Sequence, residues 1–260
     1  MIRKDNAVRL DRLNEMEQYV LDQGTASLEE LCRRFEVSMN TVRRDVADLL
    51  ERGRLKKVYG GVSADMRLPS VIPLSERALK NESAKQTIGR LAAGLVQDNT
   101  SIFLDSGSTT MQILPHLTER RNVTVISHSM TALYEAAKYP DLHIIALGGL
   151  YNPTTSSYVG PNTLNDLSKM TMNLAFLSAT GVTLERGLTN TTYFEVEIKQ
   201  TVARQNKNLI LMADHSKFGN NALLSFCALD RLSAIVTDQP LPEAFQSAAE
   251  DFGIRVITPE

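Results

Sequence analysis

Cysteine is scarce in this sequence, since the chain of 260 residues contains only two, Cys32 and Cys227. Both fall in apolar patterns, and neither has the spacing to a His or another Cys that a metal site needs. We therefore expect buried thiols in a reducing cytoplasm and no metal. The sequence also lacks an apolar run near the ~20 residues of a membrane span, and its charged start gives no sign of a secretory signal.

The chain has no excess of positive charge, because its formal net charge is -2. The distribution is uneven, however: residues 33–62 hold eight basic and four acidic side chains, a net of +4, which leaves -6 for the rest of the chain. A basic segment beside an acidic body is typical of a DNA-binding module joined to another domain. A solvated basic surface would give the same charges.

The N-terminal part of the chain predicts three helices. The first ends near Asp22, and Ser27 with Glu30 forms a capping box that opens the second. After a tight turn, Ser38 caps a third helix that continues to about Arg52. Two helices joined by a short turn, the second of them basic, indicate a helix-turn-helix.

The third helix has two unlike faces. At about 100° per residue, Val42, Val46 and Leu49 cluster on the side that must face a core. The opposite side carries Asn40 and Arg44, and these residue types bind adenine and guanine through paired hydrogen bonds. The alternative is that they are merely exposed. We predict DNA contacts from a polar set at the start of this helix: Ser38, Asn40, Thr41, Arg43 and Arg44.

A short basic hairpin follows the third helix. It carries Lys56, Lys57 and Tyr59, and the pair Gly60-Gly61 permits a turn with positive φ. A basic hairpin after a recognition helix is typical of the wing of a winged helix, where lysines contact phosphates without reading sequence. We therefore predict a winged helix-turn-helix DNA-binding domain over residues 1–62, with wing contacts from these three side chains.

The motif Ser38-x-x-Thr-Val-Arg-Arg-Asp45, with the helix 28–37 before it and Gly53 to Gly61 after it, resembles the N-terminal signature of DeoR-type regulators. Members of that family repress sugar-catabolic genes. One departure is Tyr59, since a histidine before the paired glycines is more usual. The resemblance implies a repressor that binds operator DNA.

The next segment is predicted to be a linker. Residues 63–80 contain Pro69 and Pro73 and show no clean periodicity, so we expect a largely extended connection. A helical pattern then opens a second domain over residues 81–260.

Short apolar runs alternate with helical patterns through this second domain. Such alternation, with nearly continuous apolar strands, predicts an α/β fold with a mainly parallel sheet covered on both faces. The predicted strands are 101–104, 123–127, 142–147, 174–178, 209–213, 234–237 and 254–257. The predicted helices are 109–117, 130–138, 163–169, 194–205 and 242–252. Ligands of such sheets bind at the carboxyl ends of the strands.

The loop Asp105-Ser-Gly-Ser-Thr-Thr110 has the composition of a phosphate cradle. Gly107 lets backbone N–H groups approach an anion, and hydroxyls and a helix N-terminus can donate to it. A capped turn would use the same residues, but the carboxylate at the strand end also suits a sugar hydroxyl. We predict effector contacts from the whole loop: Asp105, Ser106, Gly107, Ser108, Thr109 and Thr110.

Other strand ends supply further polar and glycine residues. Lys217 can meet a phosphate as a point charge and Asp214 can orient it, although a lone lysine is more often a surface residue. The predicted effector site takes further residues from these loops: His128, Gly148, Gly149, Gly181, Asp214 and Lys217.

Three segments of the second domain resemble the effector domain of DeoR-type regulators: 105–110, 175–181 and 214–219. That domain is related to ribose-5-phosphate isomerase, which implies a site shaped for a sugar phosphate. Ser127-His128 stands where the family commonly has Thr-Asn, so His128 is carried over weakly. Glu195 and Lys199 are also weaker candidates.

These features favour a ligand-controlled regulator over an enzyme. Isomerising a sugar phosphate needs a general base beside the carbon acid, and the isomerases to which this domain is similar have clustered acidic residues and a glycine-rich Lys loop after the strand equivalent to 174–178. This chain has only Glu185 there. The alternative is a sugar-phosphate isomerase that carries a DNA-binding module. A plain interaction module would leave the wing and the phosphate loop unexplained.

We therefore predict a cytoplasmic transcription regulator with no cofactor and no membrane partner, a repressor of carbohydrate or polyol catabolism genes. Its expected partners are a double-stranded DNA operator and a small phosphorylated sugar or polyol. One winged helix covers one half-site, so we also expect a homo-oligomer.

Overall fold

The structure is a computed structural model that describes residues 2–51, 55–64 and 71–259. The chain forms two compact units, residues 1–70 and 71–260, each with its own hydrophobic core. Within the described ranges, no helix is both long enough and apolar enough to cross a membrane.

The first unit consists of three helices and a small sheet. Its elements are α1 (Ile2–Gln23), β1 (Thr25–Ser27), α2 (Leu28–Phe35), α3 (Met39–Glu51), β2 (Leu55–Val58) and β3 (Gly61–Ala64). The three predicted helices are confirmed, although the predicted end of the third, Arg52, lies outside the described residues. The capping box is also confirmed, because Glu30 N donates to Ser27 Oγ at 3.1 Å and Ser27 N donates to Glu30 Oε2 at 3.4 Å.

The hairpin of β2 and β3 belongs to a three-stranded antiparallel sheet with the order β1-β3-β2. The hairpin confirms the sequence prediction, whereas β1 was not predicted because three residues show no alternation. Only Gly60 takes a positive φ, of 73°, in the turn. Gly61 lies in β3, where a Cβ atom would stand 2.2 Å from the Ala26 carbonyl oxygen. Gly61 is therefore required by the close approach of two strands and not by the turn.

The core of the first unit is built from one face of each helix. Met16, Leu31, Val42 and Leu49 are fully buried, and burying each such side chain stabilises the fold by about 1.5–3 kcal/mol. The apolar face predicted for α3 is confirmed. Cys32 is half-buried at the margin of this core, so the prediction of a buried thiol was wrong at this position.

The second unit is a seven-stranded parallel sheet covered on both faces. Its strands and those of two smaller sheets are β4 (Ser101–Leu104), β5 (Val123–Ser127), β6 (Leu142–Ala146), β7 (Leu150–Asn152), β8 (Ser157–Val159), β9 (Leu174–Leu177), β10 (Gly181–Thr183), β11 (Gly187–Asn190), β12 (Leu209–Met212), β13 (Leu224–Cys227), β14 (Ala234–Val236) and β15 (Arg255–Ile257). Its helices are α4 (Leu74–Leu79), α5 (Glu82–Ala93), α6 (Met130–Ala136), α7 (Pro161–Leu167), α8 (Tyr193–Gln205) and α9 (Glu243–Asp251).

The order of the large sheet is β15-β14-β12-β9-β4-β5-β6, with every pair parallel. Alternate residues of the central strands enter separate clusters on the two faces: Phe103 and Leu177 pack on one, Ile102 and Phe176 on the other. All seven predicted strands are present within one residue of their predicted bounds, and the parallel α/β fold is confirmed.

Three segments contain five strands that were missing from the predicted set, β7, β8, β10, β11 and β13. β7 and β8 form a hairpin, and β10, β11 and β13 form a small antiparallel sheet. These strands have three or four residues each and contain Gly, Thr and Asn. Runs of three or four residues carry too little local pattern to identify a strand, so their pairing depends on tertiary contacts.

Two helical segments also differ from their predictions. Residues 109–117 were predicted as a helix, but the structure has a short 3-10 helix, Thr110–His116, with Pro115 inside it. Proline lacks the N–H that an α-helix would use there. Residues 74–79, predicted to be part of an extended linker, form α4, whose first N–H donates to the Thr154 carbonyl oxygen at 2.9 Å. Its six residues are too few to show a helical period.

The strand order places a crevice between β4 and β9. From β4 the chain continues outward through β5 to β6, whereas β9 leads to β12, β14 and β15 on the other side. Ligands of open α/β sheets bind where the order changes direction, at the carboxyl ends of the strands. Asp105 follows β4 and Ser178 follows β9 at this position.

Candidate functional site

The start of α3 presents several polar side chains to solvent. Asn40, Arg43 and Arg44 are exposed, whereas Thr41 is half-buried. Ser38 Oγ accepts from Thr41 N at 3.2 Å and lies 2.9 Å from Thr41 Oγ1. Ser38 and Thr41 therefore cap the helix, which leaves Asn40, Arg43 and Arg44 free to meet base edges or phosphates.

An ion pair that sequence reasoning missed fixes the orientation of α3. Arg12 Nε donates to Asp45 Oδ2 at 2.9 Å, and the Asp45 side chain is fully buried. The pair joins α1 to α3. The two residues are 33 positions apart in sequence, so the local pattern shows Asp45 only as one of three acidic residues on α3, with Asp48 and Glu51.

The wing holds its two lysines on opposite faces of β2. Lys57 is opposite the fully buried Val62, whereas Lys56 is opposite Ser63. Both lysines are exposed, and Tyr59 extends fully into solvent at the tip. Side chains paired across a hairpin share a face, so Lys56 lies on the face turned away from the core.

In the second unit, Asp105 is the centre of a buried polar network. Its Oδ2 atom accepts from Ser178 N at 3.0 Å, from Ser178 Oγ at 2.5 Å and from the ammonium of Lys199 on α8. Lys199 also donates to the Ser178 carbonyl oxygen at 2.6 Å. Burial acts to raise the pKa of Asp105, but Lys199 and His128 hold it well below its usual range. The network joins the ends of β4 and β9.

The other oxygen of Asp105 is not satisfied in this way. Asp105 Oδ1 lies 3.7 Å from His128 Nε2, both side chains are fully buried, and neither atom has a hydrogen-bond partner among the described residues. The His128 ring stacks on Phe103 at 6.0 Å, and its Nδ1 contacts the Tyr158 carbonyl oxygen at 3.0 Å. A carbonyl oxygen only accepts, so Nδ1 carries a proton and Nε2 faces the carboxylate.

Residues 105–110 form the cradle loop, and Ser106 joins this loop to α8 through a second buried carboxylate. Ser106 Oγ donates to Glu195 Oε1 at 2.6 Å. Glu195 Oε2 accepts from Asn190 Nδ2 at 3.2 Å and from Thr192 Oγ1 at 2.7 Å. Glu195 and Lys199, weak candidates in the sequence, therefore support the loop from a single helix, one turn apart.

The remaining loop residues have distinct positions. A Cβ atom on Gly107 would stand 2.2 Å from Ser178 Oγ, so the glycine is required by packing. Thr110 Oγ1 donates to the carbonyl oxygens of Asp105 and Gly107 at 2.8 and 3.0 Å, which occupies its hydroxyl within the loop. Ser108 Oγ makes a longer contact, 3.4 Å, with the Arg77 carbonyl oxygen of α4. Thr109 is buried beside it.

A cationic cluster lies at the carboxyl end of β12, around the buried Asp214. Its members come from three segments: Arg77, Lys80, Lys85 and Lys217. Asp214 Oδ1 accepts from Asn81 Nδ2 at 3.0 Å and from Ser216 Oγ at 2.5 Å. Burial acts to raise the pKa of Asp214, but Lys217 and these hydrogen bonds lower it. Its Oδ2 atom has no hydrogen-bond partner among the described residues.

Two ammonium groups of this cluster are shielded from water. Lys85 is buried, and its Nζ donates to the carbonyl oxygens of Arg77 and Lys80. Burial lowers the pKa of Lys85 to about 8; Asp214 opposes this shift, and Lys217 and Arg77 add to it. Burial likewise lowers the pKa of Lys217. Arg77, Asn81 and Lys85 were not predicted as site residues.

The Arg77 carbonyl oxygen connects the cluster to the cradle loop, since it accepts from both Ser108 and Lys85.

Gly148 and Gly149 have a structural role at the end of β6. Thr163 Oγ1 donates to the Gly148 carbonyl oxygen at 2.6 Å, and a Cβ on Gly149 would stand 2.3 Å from Thr163 Oγ1. Gly181 packs against the Asn220 carbonyl oxygen, where a Cβ would stand at 2.2 Å. It therefore positions the loop that carries Lys217.

Two family models match the chain. Residues 12–67 match a DeoR-like helix-turn-helix domain, and residues 80–239 match the DeoR C terminal sensor domain. The chain is 40% identical to the HTH-type transcriptional regulator IolR of Bacillus subtilis, over 96% of this chain and 99% of that protein. It is 27% identical to the Glycerol-3-phosphate regulon repressor of Escherichia coli, over 94% of this chain and 97% of that protein.

Among solved structures, part of the chain is similar to ribose 5-phosphate isomerase A of Methanocaldococcus jannaschii. The TM-score is 0.40 and the identity 21%, over 54% of this chain and 55% of that chain, so about half of each protein is compared. The matched domains and the named relatives are those of regulators and not of enzymes. The chain belongs to the DeoR family of DNA-binding transcription regulators, with an N-terminal helix-turn-helix and a C-terminal sensor domain.

Proposed function

We propose that this regulator represses genes of carbohydrate or polyol catabolism and that a phosphorylated sugar or polyol controls its DNA binding. α3 and the wing contact the operator through Asn40, Arg43, Arg44, Lys56 and Tyr59. The effector binds in the second unit between the cradle loop and the cationic cluster. A relative named for a glycerol-3-phosphate regulon supports an effector of this chemical class.

The excess of positive charge around Asp214 is the observation that carries the proposal of a phosphorylated effector. Among the described groups, Asp214 is the one carboxylate that acts on both Lys85 and Lys217, whereas the positive charges of Arg77 and Lys80 act on both of these lysines. Buried like charges destabilise a fold unless counter-charge is supplied. A phosphate dianion would supply that charge. The hydroxyls of Ser108 and Thr109, in the loop 105–110, would donate hydrogen bonds to it.

The opposite end of the crevice suits a hydroxyl. Asp105 Oδ1 and His128 Nε2 are unpartnered within the described chain and stand 3.7 Å apart. With the proton of His128 on Nδ1, both atoms are acceptors, so each can take a hydrogen bond of about 2.7–3.0 Å from a separate ligand hydroxyl. A ligand with a phosphate at one end and hydroxyls along its length therefore matches the polarity of the site.

The shared acceptor at Arg77 suggests how binding changes the protein. Ser108 and Lys85 both donate to the Arg77 carbonyl oxygen. A bound phosphate would accept from the same two donors and release α4, which follows directly on the segment that joins the two units. A ligand shifts DNA affinity only through unequal affinity for two states, and these two arrangements of α4 are the states we propose.

The regulator acts as a homo-oligomer in this proposal. One winged helix reads one half-site, and stable operator binding by this motif uses two half-sites related by the symmetry of the protein.

A thermal-melting screen tests the effector site. A ligand at 100 times its Kd stabilises the native state by about 2.7 kcal/mol, which raises the Tm by roughly 5–10 °C for a domain of this size. We expect one sugar or polyol phosphate to do so in the wild type and in Lys207→Ala, at the amino end of β12, but not in Lys217→Ala at its carboxyl end. Equal stabilisation by the unphosphorylated compound would contradict the phosphate assignment.

A further inference from the structure

The strand β6 is an uncovered edge of the parallel sheet. His143, Ile144, Ile145 and Ala146 are exposed in succession, although strands of parallel sheets are normally buried on both faces. The opposite edge is different: β15 has three residues, begins with Arg255, and packs beside α9. Short strands and charged residues protect an edge from pairing. The edge at β6 has neither protection.

The backbone of β6 can accept another strand. Leu147 N donates to the Ser127 carbonyl oxygen at 2.9 Å, and backbone groups of a strand alternate in direction. The N–H and C=O groups of Ile144 and Ala146 therefore point away from β5. Within the described ranges, β6 pairs with β5 and no other strand.

Apolar side chains surround this edge on both faces of the sheet. Ile144 is in register with Val125, which packs with α6, whereas Ile145 is in register with Ile126 on the other face. Further large side chains are exposed on the adjoining α6 and β7: Met130, Tyr134, Leu150 and Tyr151, at 47%, 72%, 69% and 48%. The Met130 N–H donates to the Ser156 carbonyl oxygen, which fixes the start of α6 beside the β7–β8 hairpin.

The size of this surface fits an interface between proteins. A large side chain presents roughly 150–250 Å² when fully exposed, so the six apolar residues together expose on the order of 600–700 Å². The largest apolar patch of a typical monomer is about 300–600 Å², and a stable interface takes about 800 Å² from each partner, polar rim included.

We propose that β6 pairs with β6 of a second copy of this chain, antiparallel and about a two-fold axis, so that one sheet continues through both copies. A strand that meets its own copy across a two-fold axis must run antiparallel. The surface suits a copy of itself because β6 carries no Lys, Arg, Asp or Glu, so no like charges are opposed. This pairing of β6 strands would form the homo-oligomer that the proposed function requires. The inference rests on the proposed function in this point alone.

The molar mass in solution tests the proposal, measured by light scattering after gel filtration without DNA or effector. The chain has a mass of 28.8 kDa, and we expect the wild type to show at least twice that value. Ile144→Lys should halve the wild-type mass. Phe252→Lys is the matched control, because Phe252 is a half-exposed apolar residue at the end of α9, and it should keep the wild-type mass.

Two further variants keep the test decisive if Ile144→Lys does not fold. Ile144→Pro removes an outward N–H while sparing the bonds to β5, and Tyr134→Lys changes the same surface from α6. Each should also halve the mass and retain a cooperative melting transition. A wild type of single-chain mass, or folded edge variants at the wild-type mass, would overturn the proposal. DNA binding is measured in a separate experiment. Either result for the molar mass therefore leaves the proposed binding of operator DNA to be decided by that experiment.

Discussion

Single buried ammonium groups set the chemistry of the sensor unit. Lys199 has a full partner in Asp105, and that pair connects two strand ends. Lys85 has only carbonyl oxygens as hydrogen-bond acceptors and other cations nearby, and its pKa is lowered to about 8. The first lysine therefore supports the site, and the second is available to an anion.

Effector affinity should depend on pH because of Lys85. A phosphate beside the ammonium raises its pKa, so above about pH 8 binding must take up a proton. Affinity should therefore fall as the pH rises from 7 to 9, and calorimetry in buffers of different ionisation enthalpy should show the uptake. Lys85→Arg keeps its charge over this range, so its affinity should vary less with pH. Equal pH dependence in both proteins would exclude Lys85 from the phosphate site.

Lys85 should also make the free energy of unfolding of the free protein depend on pH. Because the folded pKa of about 8 is below the usual lysine value of 10.5, the unfolded state holds more protons between these two pH values. The contribution of Lys85 to stability therefore increases as the pH rises from about 8 to 10.5 and is constant below that window.

Breaking the Asp105–Lys199 pair should destabilise the sensor unit. Removing one partner of a buried pair costs about 3–5 kcal/mol, because the other charge is left uncompensated. We expect Asp105→Ala and Lys199→Met each to lower the free energy of unfolding in urea by that amount. The double variant should be more stable than either single one. Single variants within about 1 kcal/mol of the wild type would show that the pair is not structurally important.

At the scale of elements, the recognition helix and the wing should make separable contributions to DNA binding. Arg44 is exposed opposite the core face of α3, so Arg44→Ala should weaken operator binding by about 1–3 kcal/mol and relax preference at one base position. Lys56→Ala is the contrast: it should weaken binding to operator and random DNA alike and lower the salt slope by about one. Unchanged base preference in Arg44→Ala would remove that residue from base reading.

The elements also show what sequence reasoning can recover. The apolar strands and the capped helices of the winged helix follow from local patterns, and the structure confirms them. The strands β7, β8, β10 and β11 do not, because they have three or four residues whose partners come from elsewhere in the fold.

The candidate site shows the same division. The composition of the loop 105–110 could be interpreted from sequence, and so could Lys217. The partners of Asp105 and Ser106 could not, because Lys199 and Glu195 lie about ninety residues away and are buried polar side chains on a helix with no distinctive period. Arg77 was missed because α4 was predicted to be part of a linker, and Lys85 because its partners, the carbonyl oxygens of Arg77 and Lys80, lie at the end of that segment.

At the scale of the whole molecule, the sensor unit must influence a winged helix that is a separate compact unit. The contact between Arg77, Ser108 and Lys85 lies just after the joining segment, so it is the part of the site closest in sequence to the DNA-binding unit. Pairing through β6 would place two DNA-binding units in one assembly, as two half-sites require.

The most direct test of this account is operator affinity with and without the phosphorylated compound identified by thermal melting. The probe is the duplex that the wild type selects from random DNA, and the affinity is measured by fluorescence anisotropy. The account predicts at least a fivefold change in Kd for the wild type and for Lys207→Ala, the scale of coupling typical of allosteric proteins, roughly 1–3 kcal/mol. Lys217→Ala should bind the operator normally and show no change. A Lys217→Ala protein that still responds, or a wild type that responds equally to the unphosphorylated compound, would contradict it.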